Sequence, residues 1–156
     1  MRLPVSPFAV GTVVQPEQKA AFIEAVLKNG TCTMRIEGQS MWPFIKSGDL
    51  VTIVSCKKMP VIGSVAAVFN HDQCIVHRVV KCRERPDTMG EVWICGDSSP
   101  GSQARIQPSE IVGTAVSLER NGTRHTRWLH PPLSHAAMVL GYVLRAIFSL
   151  RISSRK

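Results

Sequence analysis

Three short segments carry side chains that together can do acyl-transfer chemistry: Gly38-Gln39-Ser40-Met41-Trp42-Pro43, Ile75-Val76-His77-Arg78 and Gly96-Asp97-Ser98-Ser99. A serine hydroxyl is a weak nucleophile until a base takes its proton, and the oxyanion it creates needs N–H donors. Ser40 follows a strand-like run and precedes an apolar, proline-containing turn. That placement can expose a hydroxyl at a sheet edge with turn N–H groups beside it. His77 interrupts an apolar run and is the candidate base; an imidazole titrates near neutrality, with a reference pKa of about 6.5. Strand alternation puts Arg78 on the opposite face from His77. Asp97, at the end of another strand-like run, is the candidate acid, able to hold a histidine ring in one tautomer. Each residue also has a plainer use: Ser40 as a turn residue, His77 as a packed strand residue, Asp97 in an Asx-turn. Asp49, after Gly48, reads as fixing a turn. His71 sits in a turn, and His125, His130 and His135 lie in a basic tail.

The elements that must position these groups follow from periodicity. Pro16 to Gly30 predicts a short amphipathic helix, with Pro16 in the first turn, Ala21, Phe22, Ala25 and Val26 as the apolar stripe, and Asn29-Gly30 as the stop. After Gly30 the period changes to two. Strands are expected at Thr31–Glu37, Leu50–Val54, Val61–Phe69, Cys74–Val80, Glu91–Cys95 and Ile111–Leu118, with Thr123–Trp128 returning after an Asn121-Gly122 hairpin turn. Short strands separated by Gly, Pro, Asn and Asp argue for an antiparallel sheet or partly closed barrel. Three regions result: 1–30, a segment with a short helix; 31–130, a β-rich domain; and 131–156, a basic and apolar helix.

Within 156 residues, 44% are hydrophobic and 19% charged, which excludes a disordered chain and a multi-span membrane protein. The net charge is +8, but residues 119–156 hold seven Lys/Arg against one Glu. The basicity belongs to the tail and argues against nucleic acid as a partner of the folded face. The five Cys (Cys32, Cys56, Cys74, Cys82, Cys95) include no C-x-x-C pair, so neither a disulfide framework nor a zinc site is expected. They read as small buried hydrophobes in a reducing environment. Met1–Gln15 carries no signal-peptide pattern. Leu133–Ile152 has nine Leu, Ile, Val or Phe in twenty positions, with Arg145 inside. Apolar gain and arginine cost nearly cancel for insertion. Ala137, Gly141, Arg145, Ser149 and Ser153 form a small/polar stripe. Two uses stay open: association with an anionic membrane surface, or closure over the protein's own core.

In order along the chain stand Gly-x-Ser-Met-x-Pro (38–43), Ser-Gly-Asp-Leu-Val (47–51), Ile-Val-His-Arg-Val (75–79), Gly-Asp-Ser-Ser (96–99) and Ile-Val-Gly-Thr-Ala-Val (111–116). This series resembles the signal peptidase I family, and more broadly the superfamily it shares with the self-cleaving domains of SOS-response repressors. The similarity covers roughly residues 31–118. It implies an antiparallel β-barrel with a short N-terminal and a C-terminal helix, Ser40 as nucleophile, and His77 where most bacterial members carry a lysine base. That choice is similar to the archaeal, endoplasmic-reticulum and sporulation-type branch, in which a downstream Gly-Asp, here Gly96-Asp97, supplies acidic help. Many members add a second Asp a few residues later; this chain has no acid there until Glu110. Some relatives carry a hydroxyl two residues before the nucleophile, where this chain has Gly38.

The resemblance implies a serine endopeptidase acting on a precursor protein or peptide, with Gly38, Met41, Trp42 and Pro43 lining the substrate path and no cofactor or metal. Trp42 and Phe44 would shape the cleft or contact lipid. The expected location is at a membrane, through the C-terminal helix, or in the cytoplasm. Two rivals accompany this reading. One is a non-catalytic peptide- or membrane-binding β domain of the same fold. The other is a self-cleaving regulator, disfavoured because only one expected helix precedes Ser40, too little for a helix-turn-helix domain.

Overall fold

The structure is a computed structural model and describes residues 5–10, 16–56, 58–70, 73–85, 88–99 and 101–126, with Leu129 and Val143. The elements are β1 (Val5–Val10), α1 (Pro16–Asn29), β2 (Thr31–Ile36), β3 (Leu50–Ser55), β4 (Val65–Asn70), β5 (Gln73–Arg85), β6 (Thr88–Cys95), β7 (Ala104–Ile106), β8 (Ile111–Arg120) and β9 (Thr123–His125), with a 3-10 turn at Pro108–Glu110. The fold is mainly β. One sheet runs in the order β1-β2-β3-β8-β4-β5-β6-β7, with β9 added to β8. Every ladder is antiparallel except β1–β2.

The expected barrel is not closed. Among the described residues no ladder joins β7 to β1, so two edges remain. The sheet is nonetheless strongly curled. Five strand spacings separate β2 from β6, about 24 Å if flat. The chain from Ile36 to Ser40 can span only about 14 Å, yet the Ser98 N–H donates to the Ser40 carbonyl at 2.9 Å. Curling therefore carries the turn after β2 onto the end of β6.

Alternation decides which side chains enter the core. β2 buries Cys32, Met34 and Ile36, and β3 buries Val51 and Ile53, each at period two. α1 lays Phe22 and Val26 over this face, with Phe22 edge-on to Phe69 at 5.5 Å between ring centres. Burying each such side chain contributes about 1.5–3 kcal/mol. Ala21, expected in the stripe, is exposed, and Ile23 packs in its place. A smaller cluster on the other face holds Ala66, Val68, Val79, Val92, Ile94 and Ile106. Bulges in the β5–β6 ladder lie between Val79 and Lys81 and between Arg83 and Arg85.

Two strands were absent from the sequence reading, β1 and β7. The third expected strand starts later, at Val65, because Val61–Ser64 forms a turn closed by Ser64 N–H and Oγ on the Val61 carbonyl. All five cysteines are free thiols; Cys32, Cys74 and Cys95 are buried. Burial, with Cys32 nearby, pushes the Cys74 thiol up to about 12, so it packs as a hydrophobe. Among the described residues no helix is long and apolar enough to cross a membrane. The expected helix at Leu133–Ile152 lies, apart from Val143, outside those residues.

Candidate functional site

Ser40 lies in the long turn between β2 and β3. Gly38 opens that turn with φ of +81°, a left-handed conformation that a side chain would strain. Met41, Phe44 and Ile45 are buried beneath it, while Ser40 is exposed and Trp42 keeps 36% of its surface. The Trp42–Pro43 peptide is cis. Asp49 closes the turn's far end. Its carboxylate accepts from the Lys46 N–H at 2.7 Å and from Arg120 at 2.8 and 2.7 Å, while Arg120 also donates to the Phe44 carbonyl at 2.9 Å. Burial alone would raise the Asp49 carboxyl pKa; the Arg120 and Lys46 hydrogen bonds outweigh it and hold the carboxyl below its usual value. The expectation that Asp49 fixes a turn matches this geometry.

The other end of the turn rests on the loop after β6. The Ser98 N–H holds the Ser40 carbonyl, and Gly96 lies directly beneath Ser40. A Cβ on Gly96 would stand 2.5 Å from the Ser40 carbonyl oxygen and 3.1 Å from its Cβ, so only glycine fits without displacing the serine. Arg78 pairs with Cys95 in the β5–β6 ladder. β6 ends at Cys95; carried one residue beyond that end, the same register would set Gly96 opposite His77 and on its face. His77 also pairs with Ala66 of β4, on the face of the smaller cluster. The open side of Gly96, which Ser40 occupies, is thus the side on which His77 projects.

Among the described residues no hydrogen bond joins Ser40 Oγ to the imidazole. Burial pushes the His77 pKa down to about 4, so the ring is neutral at physiological pH. The Ser40 N–H donates to no described backbone carbonyl.

Asp97 has a different partner from the one its sequence position suggests. Arg78 grips it with a two-pronged pair, Nε to Oδ1 at 2.7 Å and Nη2 to Oδ2 at 2.6 Å, both side chains 0% exposed. Arg78 Nη1 reaches the Gly63 carbonyl at 2.8 Å. The pair lies on the face of the sheet opposite His77, as alternation along β5 requires. It ties the loop after β6 to the turn before β4, and that same loop holds Ser40. The sequence sets Arg78 on the face opposite His77 but does not pair it with Asp97. A cation inside an apolar strand run, facing away from His77, is the signal, because a buried guanidinium needs a carboxylate. Gly96 was likewise read only as half of a Gly-Asp motif.

Among the described residues no group of three or more His, Cys, Asp or Glu could hold a metal ion. The chain matches no protein-family model and no curated protein.

Proposed function

We propose that this chain is a serine endopeptidase of signal-peptidase-like fold, cleaving an extended segment of a precursor protein or peptide. The observation that carries this is Ser40 seated on Gly96, which directly follows the Cys95 paired with Arg78, the chain neighbour of His77. Ser40 Oγ attacks the scissile carbonyl while neutral His77 takes its proton. The C–N bond of the tetrahedral intermediate then breaks, and the imidazolium passes that proton to the leaving amine. Water repeats the sequence on the acyl-serine. The Ser40 N–H, which donates to no described backbone carbonyl, is the donor offered to the developing oxyanion. Gly38, Trp42 and Pro43 border the substrate path, while Met41, expected there from the sequence, is buried beneath the turn and supports it from the core.

Asp97 is a positioning residue in this reading. Paired to Arg78, it fixes the loop on which Ser40 sits and leaves a Ser/His pair to do the chemistry. A second reading, a non-catalytic peptide-binding domain of the same fold, is favoured by one observation: both Asp97 oxygens are engaged by Arg78. The two readings separate on one experiment. Wild type, Ser40→Ala and His77→Ala are incubated with precursor peptides bearing small side chains before the target bond, and products are read by mass spectrometry. Cleavage by wild type alone supports the peptidase; binding without cleavage by all three supports the second reading.

A further inference from the structure

The face of β5, β6 and β7 turned away from His77 carries a basic patch outside the Ser40 site. Trp93 pairs with Lys81 on one side and Arg105 on the other, and all three project together. Lys81 Nζ lies 4.6 Å above the Trp93 ring centre and the Arg83 guanidinium carbon 5.9 Å from it. Arg105 donates to Glu91 at 3.0 Å, yet its side chain stays 62% exposed. Apart from the buried Arg78–Asp97 pair, the exposed part of this patch therefore sets Lys81, Arg83 and Arg105 against Glu91.

Arg105 sits in β7, the last strand of the sheet, only three residues long. Gly101 to Arg105 are all exposed, and no described strand pairs with the outer side of β7. An open strand edge is a template for another extended chain. A strand added there sets alternate side chains beside Arg105, while Lys81 and Arg83, on β5 about 14 Å away by strand spacing, add a weaker screened field.

The geometry points to the β7 edge as a docking site for an extended acidic segment of a partner polypeptide, held by main-chain pairing to β7 and by carboxylates facing Arg105. This site is separate from Ser40, and its occupant need not be cleaved.

The test uses the full chain carrying Ser40→Ala, so that binding is read whether or not the protein is a peptidase. The probe is a fluorescein-labelled peptide of alternating Glu and Val, followed by polarisation at two salt concentrations. Expected are saturable binding that weakens with salt, loss by about tenfold or more in Arg105→Glu, and a shallower salt dependence in the double variant Lys81→Glu/Arg83→Glu. A matching peptide with Pro in place of Val, which loses half its N–H groups and favours a polyproline backbone over a paired strand, binds weakly. All three charges are exposed, and unchanged thermal melting confirms folding. Wild-type affinity in Arg105→Glu, or equal binding of the proline peptide, overturns the proposal. So does failure of the acidic peptide alongside charge-dependent binding of single-stranded DNA or phosphatidylserine vesicles.

Discussion

Replacing Gly96 by Ala probes the contact on which the site is built. The new Cβ would lie 2.5 Å from the Ser40 carbonyl oxygen and 3.1 Å from its Cβ. Non-bonded carbon contacts settle near 3.5–4.0 Å, so Ser40 must retreat by about 1 Å. The retreat strains the 2.9 Å bond from Ser98 N–H. Overpacking of this kind costs about 1–3 kcal/mol, a fall in Tm of about 2–12 °C for a chain of this size. A misplacement of about 1 Å at a reacting group costs roughly 100-fold in rate. Gly101→Ala is the matched control, since its added Cβ meets nothing within 4 Å. The assay is thermal melting together with kcat/KM on a cleaved peptide. Wild-type melting and rate in Gly96→Ala would refute the reasoning, as would equal losses in Gly101→Ala.

Two further outcomes follow from buried charge. Asp97→Asn leaves the Arg78 cation buried without its carboxylate, and breaking such a pair costs about 3–5 kcal/mol; denaturant unfolding should read a loss of that order. His77, held neutral by burial with its pKa lowered to about 4, binds protons less readily than in the unfolded chain, where the pKa is about 6.5. Its contribution is therefore nil above the unfolded value and grows unfavourable as pH falls from 6.5 to 4, reaching about 3 kcal/mol. Melting of wild type and His77→Phe across that range should show the variant's smaller acid-side slope; parallel slopes contradict the burial. Peptidase activity should likewise persist below pH 6 and fall only toward pH 4.

Local pattern was legible where one face alone is buried. The α1 stop, the period-two runs of β2 and β3, and the β4–β5 hairpin all follow from side chains that alternate between core and surface. β1 was not legible, because Pro7 interrupts it and its pairing with β2 is a tertiary choice. β7 was not legible, because three residues with two exposed side chains carry no period. The open sheet likewise reflects edges that no local pattern encodes. For the site, residue types pointed to Ser40, His77 and Asp97, and alternation correctly opposed His77 to Arg78. The partner of Asp97 could not be read from order along the chain. It depends on the β5–β6 register, which sets Cys95 against Arg78 and so brings Asp97 to the arginine's face.

The central claim is that Ser40 forms a covalent acyl intermediate with His77 as its base. The most direct measurement is acid-quenched mass spectrometry during turnover of a peptide p-nitrophenyl ester, whose reactive leaving group favours accumulation of an acyl-enzyme. The expected result is a burst of p-nitrophenol with one acyl adduct on the fragment containing Ser40, absent in Ser40→Ala and strongly slowed in His77→Ala. An adduct on another residue, or peptide cleavage by Ser40→Ala at the wild-type rate, would contradict it.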